Sequence, residues 1–202
     1  AKISLAEPLP NPVFEDPIRR VLGLTQNGLR EVIAGREELD GKTGPGAIKD
    51  ALSSIDLDRE IDRARKGWKS FKGANRDKLV KRWAMLAGAK NQGIHPSDWV
   101  STKVPVLPPQ FRPVSIMTDN KLPLGSDPNY LYGDVFRSNE ALKSLRDRTG
   151  DVGDERLALY DSYKAVVGLG EPITPKNQER GVKGLLASVF GSGPKYSSIQ
   201  YR

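Results

Sequence analysis

Few side chains in this sequence are of a type and spacing that could do bond-making chemistry. His95 is the only histidine among 202 residues, and it sits directly before Pro96. One imidazole in that setting reads as a loop residue rather than a base, and no triad assembles around it. Carboxylates fall close together at Asp56 and Asp58 and again at Asp151 and Asp154. Two-metal chemistry needs carboxylates converging from a rigid scaffold. Asp56 and Asp58 instead flank a helix start, where acids complement the helix dipole, while Asp151 and Asp154 suit a turn and a helix cap. The chain has no cysteine. That excludes disulfides, thiol nucleophiles and cysteine zinc sites within these residues, and carboxylates alone rarely hold zinc. Gly35 to Thr43 resembles a phosphate loop, but Gly35 lies six residues before Gly41 where the motif needs five. It also lies between helices rather than after a strand, so a helix-joining turn is expected.

What remains is charge. The net charge is +7 and the isoelectric point is near 9.6, an excess that favours polyanionic partners. The basic residues are spread over several elements, so they suit a solvated face or the lining of a nucleic-acid path. No base-reading or aromatic RNA-binding signature accompanies them. Apolar runs are only a few residues long, so no membrane span is expected. The opening residues lack the apolar stretch of a signal peptide. The chain starts on Ala1 in strand-like sequence, which reads as a piece of something longer or a processed product.

The elements that must position these groups are mostly helical. A short strand from Ile3 to Ala6 leads into a proline-broken loop with Pro8, Pro10 and Pro12. Two short helical runs follow, around Ile18, Val21 and Leu22 and around Leu29, Val32 and Ile33. The spacing of Ala47, Ile48, Ala51, Leu52 and Ile55 predicts another helix. Asp56 opens a longer helix striped by Leu57, Ile61 and Ala64, and a second from Asn75 carries Leu79, Val80, Trp83 and Leu86. The two can pair as an antiparallel hairpin, with Gly93 as the stop. From Trp99 the pattern turns strand-like as far as Pro108-Pro109, and again from Phe111 to Ile116. Thr118 to Lys121 has turn chemistry. Ser126-Asp127-Pro128 marks a helix start, and helices from Asn129 to about Arg148 and from Glu155 to about Val167 form a second hairpin. A loop from Gly170 to Gly181 and a short helix from Val182 to Phe190 close the readable part. The fold class expected is α+β, mostly helical, with two helical hairpins and a few short strands. Residues 1–100 form an N-terminal segment and 101–202 a second region.

Several motifs, in order, resemble one family. Val104-Pro105-Val106-Leu107-Pro108-Pro109-Gln110-Phe111-Arg112-Pro113 resembles a hallmark of the largest, β′, subunits of multisubunit DNA-dependent RNA polymerases. Ser126-Asp127-Pro128-Asn129-Tyr130-Leu131-Tyr132 is similar to the S-D-L-N-D-L-Y of that family, and Val135, Asn139, Leu142 and Lys143 fall in register with its continuation. Gly44 to Ile61, Lys78 to Gly93, Lys183 to Leu186 and Gly191 to Arg202 extend the resemblance over nearly the whole chain.

The resemblance implies a clamp-like fold and specific roles. Met117 to Leu124 would be the lid that helps peel RNA from template DNA. The hairpin from Asn129 to Val167 would be the clamp helices, docking a sigma-like initiation factor through Arg137, Asn139, Lys143, Arg146 and Arg156. Glu171 to Arg180 would be the rudder beside the RNA–DNA hybrid. Arg112, Asn120, Lys121, Lys176, Arg180, Lys195 and Arg202 would contact nucleic acid, the last two at the template-binding switch. Other polymerase subunits, template DNA and the hybrid are the implied partners, and the cytoplasm of a bacterial or phage-infected cell is the implied location. The family's N-terminal zinc module and the loop with three magnesium-binding aspartates have no counterpart in these residues. The Mg2+ of the parent nucleotidyltransferase would be held elsewhere, and no cofactor is expected in this segment. The turn Gly150 to Gly153 shortens the hairpin tip, and Gly133, Asp134, Ser138 and Glu140 soften its basic face, which implies a divergent polymerase. A stand-alone clamp-like module that binds a polymerase or DNA is the alternative reading.

Overall fold

The structure, a computed structural model, describes residues 1–67, 72–116, 123–148 and 150–190. It is α+β and mostly helical, with two small antiparallel sheets of two strands each. The chain divides into two compact units, Glu7–Thr102 and Ala1–Ala6 with Lys103–Arg202. The division falls within the paired strands β1 (Lys2–Pro10) and β2 (Val100–Pro105).

β1 departs from the sequence expectation of a strand ending at Ala6: it runs on through Pro8 to Pro10. Proline lacks an N–H and is tolerated in strands that have one partner or carry bulges. Both conditions hold. The sheet has two strands, and its end bonds run from Val106 N–H to the Ala1 carbonyl and from Asn11 N–H to the Trp99 carbonyl. These bonds lie ten residues apart along β1 but seven along β2, so β1 accommodates three extra residues, as bulges do.

In the unit Glu7–Thr102, helices α1 (Glu15–Leu22), α2 (Gln26–Ala34) and α3 (Pro45–Ser53) precede a hairpin of α4 (Leu57–Gly67) and α5 (Ala74–Asn91). α1 carries Glu15 and Asp16 in its first turn and Arg19 and Arg20 in its last, the arrangement that complements a helix dipole. Thr25 caps α2 by accepting from Gly28 N–H at 2.9 Å. Asp56 opens α4 by accepting from Arg59 N–H at 3.1 Å, the capping role its sequence position predicts. The core here gathers Leu9, Ile18, Val21, Leu29, Val32, Ile33, Ile48, Leu52 and Leu86. The segment resembling a phosphate loop starts on the C-cap of α2 at Gly35 and holds a two-residue turn, closed by a Leu39–Lys42 bridge with Asp40 and Gly41 at φ 52° and 76°. His95 is structural. Its Nδ1 accepts from Ser97 N–H, its Nε2 lies 2.9 Å from the Ile55 carbonyl, and its own N–H donates to Asp98.

In the other unit, β3 (Val114–Ile116) pairs with β4 (Pro123–Gly125), with Val114 opposite Gly125. The strand expected from Phe111 begins only at Val114, because Pro109–Phe111 form a 3-10 turn and Pro113 interrupts. α6 (Asp127–Arg146) and α7 (Gly153–Val167) pack as a hairpin. Its core is Leu131, Val135, Leu142, Leu159, Tyr160, Tyr163 and Val166. The expected loop Gly170 to Gly181 contains one helical turn, α8 (Pro175–Glu179), and α9 (Leu185–Phe190) follows. Gly184 explains why α9 starts later than expected. A Cβ there would fall well inside 3.0 Å of the Ala165 carbonyl oxygen and the Gly168 backbone, so the chain crosses the end of α7 backbone to backbone before turning helical.

Candidate nucleic-acid and partner interface

The N-terminus of α6 brings together two of the sequence-predicted groups, Arg112 and Arg180. Arg112 reaches back from the 3-10 turn. Its Nε donates to the Leu107 carbonyl and its Nη1 to Asn129 Oδ1, both at 2.8 Å. Asn129 returns a bond from Nδ2 to the Arg112 carbonyl at 2.9 Å. Charge-assisted bonds of this length hold geometry well, so Arg112 positions the joint between the turn and α6. One residue on, the Tyr130 hydroxyl accepts from Gly125 N–H at 3.2 Å and its ring lies 5.2 Å beneath the Arg180 guanidinium, a cation–π distance. Asp127 accepts from Lys183 N–H at 3.0 Å. Three segments distant in sequence thus meet on the first turn of α6.

A second hub lies one turn along. Asp134 is 1% exposed and accepts from Thr174 Oγ1 at 2.6 Å and from Asn177 Nδ2 at 2.9 Å, and it pairs with Arg137. A buried carboxylate persists only with such partners. Here they clamp the 174–177 turn onto α6. Lys176 stands exposed on the same short helix.

The β3–β4 hairpin presents apolar side chains to solvent. Phe111 before it and Ile116 within it are each 71% exposed, and Val114 and Leu124 are also exposed. Cross-strand partners share a face, so Leu124 shares one with Ser115 while Val114 and Ile116 occupy the other. Apolar side chains on both faces of a two-stranded ribbon are not explained by this unit's own core.

On the α6–α7 hairpin the predicted docking residues separate into two groups. Asn139 is corrected from a surface docking residue to a buried one. It is 1% exposed, its Oδ1 accepts from Ala6 N–H at 2.7 Å and its Nδ2 donates to the Ser4 carbonyl at 3.1 Å. Arg146 also serves β1, with Nη1 donating to the Ala6 carbonyl at 3.2 Å. Arg156 is half-buried and engaged with neighbouring groups. Arg137 and Lys143 are exposed, the first paired with Asp134 and the second with Glu140 at 2.8 Å. Sequence reasoning missed Phe136, which is 57% exposed beside Arg137. The available signal was its position outside the buried row Leu131, Val135 and Leu142. Asn120, Lys121, Lys195 and Arg202 lie outside the described residues.

Among the described residues, no three His, Asp or Glu side chains gather as metal ligands would, and no helix is long and apolar enough to cross a membrane.

No family model matches the chain. It is similar to proteins named DNA-directed RNA polymerase subunit beta′ from Bacillus mycoides (strain KBAB4), Bacillus thuringiensis (strain Al Hakam) and Bacillus anthracis. Each is 34% identical over 137 residues, covering 65% of this chain and 11% of the relative. The chain therefore spans about a ninth of the length of these curated relatives.

Proposed function

On the premise that this chain carries a divergent segment of the RNA polymerase β′ family, we propose that it works in transcription as part of a polymerase clamp. It handles template DNA and nascent RNA, and it docks an initiation factor. Nucleotidyl transfer falls to other residues of the assembly.

The observation that carries this reading is the α6–α7 hairpin. Its exposed strip combines Phe136, Arg137 and Lys143, while Asp134 and Asn139 tie its other side to the 174–177 turn and to β1. An aromatic anchor beside cations on a fixed scaffold suits a protein partner. The exposed apolar ribbon β3–β4 suits a wedge at the edge of a nucleic-acid duplex, with Arg112 and Arg180 anchoring its base. Arg180 and Lys176 supply cations for phosphates.

The geometry also chooses the test. Arg137 neighbours the buried Asp134, so reversing its charge would disturb folding. Phe136→Ala with Lys143→Glu removes the anchor and one cation at exposed positions. In the polymerase assembled with this chain, the pair should weaken capture of the initiation factor about tenfold or more. Unchanged capture would overturn the docking assignment. Purification of the native chain without subunits carrying the catalytic aspartates would overturn the polymerase reading.

A further inference from the structure

Helices α1 and α5 pack against each other. Together with the turn that leads into α2 they wall a cleft of about 470 Å³. Four cations line it: Arg19 and Arg20 in the last turn of α1, and Lys78 and Arg82 on α5. The last two are four residues apart, so they share one face of the helix. No carboxylate is found among the described lining residues.

The acids that reach these cations are too few to neutralise them. Asp16 is shared by Arg19 at 3.2 Å and Arg20 at 2.6 Å, and Glu60 by Arg82 at 2.8 Å and Arg63 at 3.3 Å. Lys78 is exposed and has no ion-pair partner among the described residues. Two donors are also unused: Arg19 Nε and Arg82 Nε are buried without a hydrogen-bond partner. A buried donor without an acceptor costs free energy, and native proteins hold few of them. A small turn of either side chain would let its guanidinium meet an anion through two parallel N–H groups. The turn into α2 adds to the same field. Thr25, the cap of α2, lines the cleft, and no acid stands in the first turn of that helix to offset its dipole.

We propose that this cleft binds a small phosphorylated molecule, its phosphate held among Arg19, Arg20, Lys78 and Arg82 and its apolar or ring portion laid on Leu24 and Leu79, which also line the cleft. The volume falls within the roughly 300–1,000 Å³ usual for small-molecule sites. Cations that track a nucleic-acid strand are set out along a groove, whereas these converge on one cleft from two helices. All the residues involved belong to the unit Glu7–Thr102, and the inference does not rest on the polymerase reading, so each can fail without the other.

The test titrates inorganic pyrophosphate into the full chain, followed by NMR of the arginine Nε–H groups and by melting temperature. The Arg19 and Arg82 signals should move together and saturate, and the melting temperature should rise with pyrophosphate concentration. Lys78→Gln should weaken binding about tenfold, the worth of one charge-assisted bond, and Lys78→Arg, which keeps the charge, should restore it. Lys81→Gln removes an exposed cation of the same helix from outside the cleft lining and should leave affinity unchanged. Equal weakening by Lys78→Gln and Lys81→Gln would mean diffuse attraction and overturn the inference. Arg19 and Arg82 signals that stay in place would do the same. The proposal also fails if a DNA duplex at matched phosphate concentration displaces pyrophosphate and is itself weakened by Lys78→Gln, or if binding is confined to vesicles of phosphatidic acid.

Discussion

Replacing Asn139 by alanine removes two bonds that hold strand β1 to helix α6. The two are unequal. Ala6 is half-buried and its N–H sits 2.7 Å from Oδ1, while Ser4 is exposed and its carbonyl lies 3.1 Å from Nδ2. The Ser4 carbonyl recovers water on truncation, so its loss costs little. The Ala6 N–H is left underpartnered, at about 1–3 kcal/mol, and the vacated space adds to that. We expect a total of about 2–3 kcal/mol, or roughly 5–10 °C in melting temperature for a chain of this size. Hydrogen exchange should locate the loss at the Ala6 amide.

Asn139→Asp is the sharper variant. The carboxylate keeps an acceptor for Ala6 N–H but faces the Ser4 carbonyl without a donor, in a buried position. Burial and the carbonyl favour its neutral form, so its pKa is raised on folding. The defect should therefore be largest at neutral pH and shrink as pH falls through that raised value, where a protonated acid again offers one donor and one acceptor. Two results together would refute the reasoning: an Asn139→Ala stability within about 0.5 kcal/mol of the original, and Ala6 exchange unchanged.

Two further outcomes follow from local geometry. Gly184→Ala forces a methyl against the Ala165 carbonyl and the Gly168 backbone, neither of which can swing aside. It should destabilise the chain by about 1–3 kcal/mol or more in denaturant unfolding, whereas Gly150→Ala, with open space around it, should not. The Lys42 ammonium bonds Asp50 at 2.5 Å and holds its carboxyl below the ordinary carboxylate value. A depressed folded pKa contributes stability above the ordinary value and loses it as pH falls through the depressed one. NMR titration of the Asp50 carboxyl should show the depression, and Lys42→Met should abolish it.

Hairpins were legible in the sequence because a helix writes its buried face at a fixed period. Leu131, Val135 and Leu142 mark α6, and Leu159, Tyr163 and Val166 mark α7. Caps such as Asp56 were legible for the same reason, since their partners lie three residues away. What could not be read is what spans long separations. Asn139 meets a strand more than 130 residues earlier, and an asparagine on a helix carries no mark of whether its amide faces solvent or a backbone. Asp134 looked like a softened basic face, yet it collects Thr174 and Asn177 from 40 and 43 residues onward. Pro8 and Pro10 argued against a strand because their tolerance depends on how many partners that strand has.

The side chains of Asn139 and Arg146 do for β1 what a third strand would otherwise do. Between them they occupy the Ser4 carbonyl and both backbone groups of Ala6, and a few residues on, Pro8 and Pro10 have no N–H to offer. A two-stranded sheet ordinarily leaves a row of backbone groups on which another chain can template itself. Here that row is occupied at Ser4 and Ala6 by an amide and a guanidinium, and Pro8 and Pro10 bring no donor. A protein that must present apolar surface at Phe111, Val114 and Ile116 thereby keeps its stickiness in side chains, where shape limits what can adhere, and out of its backbone, where any sequence could.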